Sequence, residues 1–222
     1  NVINPFLTSS PSRVVNTIIN LSKNNNLLGH IFITVYETAI SFTLATIIGI
    51  SVAAVLWWNH FIARVLDPYL TILNSLPKVA LGPILIIWAG ANMKSIILMA
   101  LLISVIITII NVYNGFLNTD NNKIKLLKSF GATKKQIFTK VIFPANFHVI
   151  INSLKINASM ALIGVIMGEL LVSKQGIGYL IMYGSQVFNL DLVITGIFIL
   201  AIVSYLIYGL VSSIEKRLIK DN

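Results

Sequence analysis

The chain contains no cysteine, so neither disulfides nor thiolate metal sites contribute to it. Acidic side chains are scarce, with seven Asp and Glu against sixteen Lys and Arg in 222 residues. Charged residues make up only 10% of the chain, too few to cover an ordinary water-soluble domain. Its three histidines, His30, His60 and His148, stand far apart and none belongs to a cluster with metal-ligand spacing. No Gly-x4-Gly-Lys-Ser/Thr phosphate loop is present, nor a Gly-x-Ser-x-Gly nucleophile elbow. The chain therefore does not hydrolyse ATP itself, and an intramembrane enzyme is disfavoured because acid, base and nucleophile do not converge. No cofactor is expected. Residues 1–29 are polar and lack the basic and apolar regions of a signal peptide, and the chain opens on Asn1 rather than Met.

What the sequence does have is apolar length. Apolar residues reach 56% and mean hydropathy is +0.88, in runs long enough to cross a hydrocarbon core of about 30 Å. Backbone groups in lipid must bond internally, so such runs are helices. Their apolar character is continuous rather than alternating, which argues against a barrel. The expected fold class is all-α, a polytopic transmembrane helical bundle with five spans. The elements are read at about His30–Trp58, Tyr69–Ala89, Ser95–Tyr113, Pro144–Leu171 and Leu192–Ile214. Pro77, Gly82 and Pro83 break or kink the second. Asn59–Asp67 is read as a short polar connection.

The net charge of +9 would suit nucleic acid if it were spread out, but it is not. Lys123, Lys125, Lys128, Lys134, Lys135 and Lys140 crowd one loop, and Lys216, Arg217 and Lys220 follow the last apolar run. This is the positive-inside pattern, and no nucleic-acid partner is expected. With the 123–140 loop in the cytoplasm, Arg64 and the tail fall inside as well, while Arg13, Lys23, Lys94 and Lys174 scatter outside. That parity strands residues 1–29 outside, so one further span is expected upstream of Asn1. An outer helix is expected over about Pro11–Leu21, preceded by a connection that includes Pro5. The whole reads as one transmembrane domain: 1–29 an outer segment, 30–119 three spans, 120–143 a basic cytoplasmic segment, 144–222 two spans and a basic tail.

The basic segment is built like an ordered corner. Ile124, Leu127 and Phe130, with Leu126 beside them, form an apolar stripe among lysines. Gly131 can take the left-handed conformation that ends a helix, and Thr133 can cap a second helix carrying Ile137, Phe138 and Val141. Pro144 suits the first turn of the next span. A basic interfacial hairpin lying on acidic lipid has the same composition; the alternative is a docking element for a cytoplasmic motor.

The spacing from Gly131 through nine residues to Val141-Ile142-Phe143-Pro144 resembles the coupling loop of ABC-importer permeases. Lys125-Leu126-Leu127 stand where that family carries Glu-Ala-Ala. Asn74-Ser75-Leu76-Pro77 through Pro83, Trp88 and Gly90 is similar to the nitrate/sulfonate/taurine group of those permeases. So are Lys155, the helix ending in Gly168-Glu169, and Gly176-Ile177-Gly178-Tyr179-Leu180. Glu37 stands where that group carries Arg. The resemblance implies a transport subunit working as a permease dimer, with a second copy of the chain, a cytoplasmic ABC ATPase dimer and an extracytoplasmic substrate-binding protein, in the cell membrane in contact with lipid. The solute it implies is a nitrate-, sulfonate- or taurine-like anion, or alternatively a thiamine-precursor pyrimidine or riboflavin. A secondary carrier would be expected to show more broken segments than the one at 77–83; a lipid-binding scaffold is the remaining rival.

On that resemblance, Lys125, Leu127, Phe130, Gly131, Ala132 and Thr133 meet the ATPase. Glu169, Lys155, Asn157, Gly176 and Gly178 lie on the translocation path or its gate. Each of the latter has a plainer reading. Glu169 suits a solvated carboxylate at a helix end, and Lys155 can snorkel. Asn157, with Ser153, Gly164 and Gly168, favours close helix packing, and Gly176 and Gly178 are turn residues.

Overall fold

The structure is a computed structural model describing residues 9–24 and 26–220; the expected connection through Pro5 lies outside them. The described residues form helices joined by short turns, with no strand among them. Four helices are long and apolar enough to cross a membrane, or five spans if one sharply bent pair counts as a span.

Helix α1 (Pro11–Asn24) lies at the end of the bundle remote from the basic segment, close to its expected bounds. Arg13 Nε donates to Asp191 Oδ2 at 3.0 Å, and Leu21 sinks between Leu27, Leu162, Ile177 and Leu192. Helix α2 (Leu27–Trp58) runs from that far end to the basic end, about 48 Å at 1.5 Å per residue. Asn26, in the left-handed region, caps it by accepting from Gly29 N–H.

Helix α3 (His60–Ser75) follows after one residue, Asn59, whose side chain accepts from Phe61 N–H and Ile62 N–H. The expected polar connection over Asn59–Asp67 is therefore helical from His60 onward. A local cap and the apolar residues Phe61, Ile62, Val65 and Leu66 outweigh the scattered charges that suggested a loop. Pro68 sits inside α3. The break falls where Pro77 predicts it: a 3₁₀ turn at Lys78–Leu81 leads into α4 (Gly82–Ala89), bent 92° from α3.

Helix α5 (Met93–Leu117) returns to the basic end, capped by Asn92. Helices α6 (Asn121–Ser129) and α7 (Lys134–Ile137) form the basic segment, continuing through a π-helical turn at Phe138–Ile142 and a short helical turn at Phe143–Ala145. Helix α8 (Phe147–Val172) crosses to the far end, α9 (Ile177–Gln186) lies there, and α10 (Leu190–Lys220) crosses back.

The centre of the bundle is α5 against α8, made close by glycine. A Cβ on Gly164 would meet the Ala100 backbone, and one on Gly168 would lie 2.9 Å from Ile96 Cα. Association in lipid rests on such backbone proximity more than on hydrophobic burial. The close-packing reading of Gly164 and Gly168 therefore holds. Most exposed large side chains, among them Phe32, Ile47, Val55 and Leu210, belong to the apolar spans and suit a lipid-facing surface.

Candidate functional site

At the basic end, Asp120 caps α6 and Thr133 caps α7 in a reciprocal box, Thr133 Oγ1 accepting from Gln136 N–H while Gln136 Oε1 accepts from Thr133 N–H at 2.8 Å. Gly131 joins the helices at φ +74°, with open space where a side chain would be. The corner expected from sequence is present. Its faces divide differently from the expected stripe. Ile124, Leu127 and Ala132 pack inward against Phe116, Ile137 and Ile142, whereas Phe130 is 79% exposed beside exposed Leu126 and Lys125. Phe130 departs although its N–H still bonds Leu126 O in helical fashion, because two steps of three residues carry it about 120° round the helix from Ile124 and off the inner face.

Lys134 secures this segment to α2. Its ammonium donates to Trp58 O at the helix C-terminus and lies 5.6 and 5.9 Å from the Trp57 and Trp58 ring centroids. A cation there meets both the carbonyl end of the helix dipole and two ring faces. Phe138 fills the space between Trp57 and Phe116, at centroid distances of 5.0 and 5.6 Å. A movement of the basic segment therefore bears directly on α2 and α5.

At the far end, three side chains from distant parts of the chain cap α9. Gly176 N–H donates to His30 Nδ1 at 3.0 Å, Ile177 N–H to Thr34 Oγ1 at 2.9 Å, and Gly178 N–H to Glu169 Oε2 at 2.6 Å. Thr34 Oγ1 in turn donates to Glu169 Oε1 at 2.6 Å. The first N–H groups of a helix have no intrahelical partner, and negative charge is favourable there. Glu169, 1% exposed, thus ties α8 to α9 and to α2. The reading of a solvated carboxylate at a helix end does not hold, because α9 folds over it. Gly176, at φ +105°, faces the Glu169 carboxyl so closely that no Cβ fits. Gly178 lies within the first turn of α9 rather than in a turn before it.

Lys155 does not simply snorkel: it pairs with Glu215 on α10 and lies over the Tyr208 ring. Asn157 Nδ2 donates to Phe42 O at 3.2 Å and Thr46 Oγ1 at 2.7 Å, joining α8 to α2, as the packing reading has it.

His30, Thr34 and Glu37 carry parts of this clasp that the sequence reading did not assign. Glu37 is 3% exposed, faces Glu169, and borders a cavity of about 500 Å³ with Asn92 and Lys174. A signal was available: His30, Thr34, Glu37, Ser41, Ala45 and Gly49 recur every three to four residues, a small and polar stripe on an otherwise apolar helix.

Residues 45–220 match the family described as the binding-protein-dependent transport system inner membrane component. The chain belongs to that family, as a permease subunit of an ABC importer of the sulfonate/taurine group. It is 28% identical over 97% of its length to the formylaminopyrimidine transport permease protein ThiX of Halalkalibacterium halodurans, covering 86% of that protein. It is 29% identical over 99% of its length to a putative aliphatic sulfonates transport permease protein SsuC of Bacillus subtilis, covering 79% of it. With the taurine transport system permease protein TauC of Escherichia coli it shares 22% identity over 98% of its length and 81% of that protein. The fold is that of a chain in the inward-facing MetNI methionine ABC transporter, at a TM-score of 0.75 and 20% identity over 86% of this chain and 95% of that one. These relatives are transport subunits, not enzymes.

Proposed function

We propose that this chain works in the cell membrane as one half of a permease dimer, with a second copy of itself. It moves a small sulfonate- or taurine-like anion delivered by an extracytoplasmic binding protein, driven by two cytoplasmic ABC ATPases. The observation that carries the coupling role is the exposed, doubly capped corner at Gly131, with Phe130 held out from it and its base fastened to α2 through Lys134. Lys125, Phe130, Gly131 and Thr133 form the face offered to the ATPase; Leu127 and Ala132 fasten it from behind. ATP-driven closure of the motors displaces this segment and, through Trp57, Trp58 and Phe138, tilts α2 and α5 between inward- and outward-open arrangements. Glu169, Gly176 and Gly178 hold the outer gate as a capped unit, and Lys155 and Asn157 brace α8 beside the path. A thiamine-precursor pyrimidine is the second reading, favoured by the likeness to ThiX, which matches that to SsuC in extent.

The test is co-purification of the full chain in mild detergent with a phosphate-loop ATPase and reconstitution with the binding protein. Uptake of taurine against formylaminopyrimidine then decides the solute, and absence of any ATPase rejects the coupling role. Gly131→Val is expected to cut coupled uptake at least tenfold without loss of membrane insertion. A β-branched residue tolerates positive φ poorly even where there is room for its side chain. Gly131→Asn, which tolerates that region, is expected to retain most uptake. Equal uptake by the Val and Asn variants would remove the corner from the mechanism.

Orientation has its own measurement. Ser12 is exposed at the start of α1, and Ser12→Cys, in a chain with no other cysteine, is expected to react with an impermeant maleimide in intact cells. Reaction only after the membrane is opened would place the basic segment outside.

A further inference from the structure

Helix α3 buries a single residue, Ala63, and leaves two opposite faces open. One is apolar: Val65, Tyr69, Ile72 and Leu76, at spacings of four, three and four, are exposed by 44, 60, 57 and 43%. Lipid covers such a face without further help. The other carries Arg64, Asp67, Thr71 and Asn74, at spacings of three, four and three, so the stripe runs most of the length of the helix, and Lys78, past the helix end, reaches back to it through Asn74. Apart from Lys78, which is partly exposed, these residues are exposed in the single chain.

Lys78 heads the stripe below the far surface of the bundle. The 16 residues of α3 span about 24 Å, short of the roughly 30 Å hydrocarbon core. Beyond the break, Gly82 abuts Met99 and Leu171, and Leu85 packs with Met99 and Ile103, all within the spans α5 and α8. Among the described residues the ammonium bonds to the end of α3, Asn74 O at 3.2 Å and Asn74 Oδ1 at 3.4 Å. The ion pairs among the described residues, Arg13–Asp191 and Lys155–Glu215, do not include it. A charged group at this depth faces a water-filled space or a partner rather than lipid, and a whole helix side of polar groups does so with more reason.

We propose that the Arg64–Asn74 face of α3 lines the aqueous translocation path and that Lys78, bonded to Asn74 at the end of that face, is the group that binds an anionic solute in that path. This rests on the permease reading above. Two copies of the chain meeting across the path would present two such ammonium groups, one from each. An anion dehydrated on leaving its binding protein gains charge-assisted bonds there. The Asp67 carboxylate, about two turns of α3 from Asn74 toward the basic end, lowers the attraction as the anion moves on.

The chain's lack of cysteine makes single-cysteine labelling clean. The full chain, in right-side-out and inverted membrane vesicles, carries Thr71→Cys or Ser75→Cys on the polar face, or Ile72→Cys or Leu76→Cys on the apolar face. Each is treated with sulfonatoethyl methanethiosulfonate, itself an ethanesulfonate, and with its trimethylammonium counterpart. The polar-face cysteines are expected to react at least a hundredfold faster than the apolar-face pair. At Ser75→Cys the anionic reagent is expected to gain about tenfold over the cationic one, relative to a free thiol. Lys78→Gln should remove that preference and Lys78→Arg keep it. Equal labelling of both faces, or of neither, overturns the path assignment. A preference unchanged in Lys78→Gln overturns the anion site. Labelling needs no motor, so a permease that recruits no ATPase fails the coupling role and leaves this result standing on its own.

Discussion

Glu169→Leu is expected to destabilise the folded chain by about 2–5 kcal/mol, with Gly178 N–H and the Thr34 hydroxyl both losing a buried acceptor at about 1–3 kcal/mol each. The hydroxyl has a partial refuge in His30 O, at 3.3 Å; the backbone N–H of Gly178 has none, because it lies in the first turn of α9. Glu169→Gln is expected to cost less, since its amide oxygen still serves Gly178 and its amide nitrogen donates to Thr34 Oγ1, which then gives up its own donation to that site. The ordering wild type, Gln, Leu is read by denaturant titration of helicity in detergent micelles. A Leu variant as stable as wild type would show that α9 is held by apolar packing alone, through Ile177 and Leu180. The same variant should loosen the end remote from the basic segment selectively, so proteolysis of purified protein is expected first in the 173–190 region and not at the basic segment.

Gly164→Ile is expected to be at least as severe, because the obstacle is backbone. The new Cβ would strike Ala100 Cα and lie 3.1 Å from Ala100 N, so no side-chain rearrangement relieves it. Overpacking of this kind costs about 1–3 kcal/mol where neighbours can yield, and more is expected here, since α5 must move as a body. Gly164→Ala should already show a measurable loss. The informative control is Ala100→Gly in the Gly164→Ala background. It removes the Ala100 Cβ, 3.1 Å away, but leaves the backbone of residue 100 in the way, so little recovery is expected. Full recovery in the same detergent titration would mean that the helices are separated by side chains and that the close approach of the two backbones is not the organising feature of the bundle.

These two sites differ in how far they could be read beforehand. Gly164 and Gly168 stand four apart in an apolar run, and small residues at that spacing announce a helix interface wherever they occur. The partner helix is another matter. Nothing near Gly164 names Ala100, and only the folded bundle sets them face to face. The corner at Gly131 was legible for the same local reason as the glycine stripe. A left-handed glycine and a threonine cap each act within about one turn of chain, whereas Pro144, expected in the first turn of the next span, falls in the short turn at Phe143–Ala145 ahead of α8. The start of helix α3 is misread when its charges are weighed as a loop, since at spacings of three and four they form one side of a helix.

The sequence by itself determined the membrane class, the apolar spans to within a few residues apart from the start of the second, the break at Pro77 and the ordered basic corner, since all of these follow from composition, periodicity and caps acting over a few residues. Tertiary structure alone decided what the polar groups do. Glu169 meets Thr34 across 135 positions of chain and Gly176 meets His30 across 146. Asn157 meets Thr46 across 111. A buried donor or acceptor must find a partner. Which partner it finds depends on which helices the fold has brought side by side, and that arrangement is carried by no one stretch of the chain.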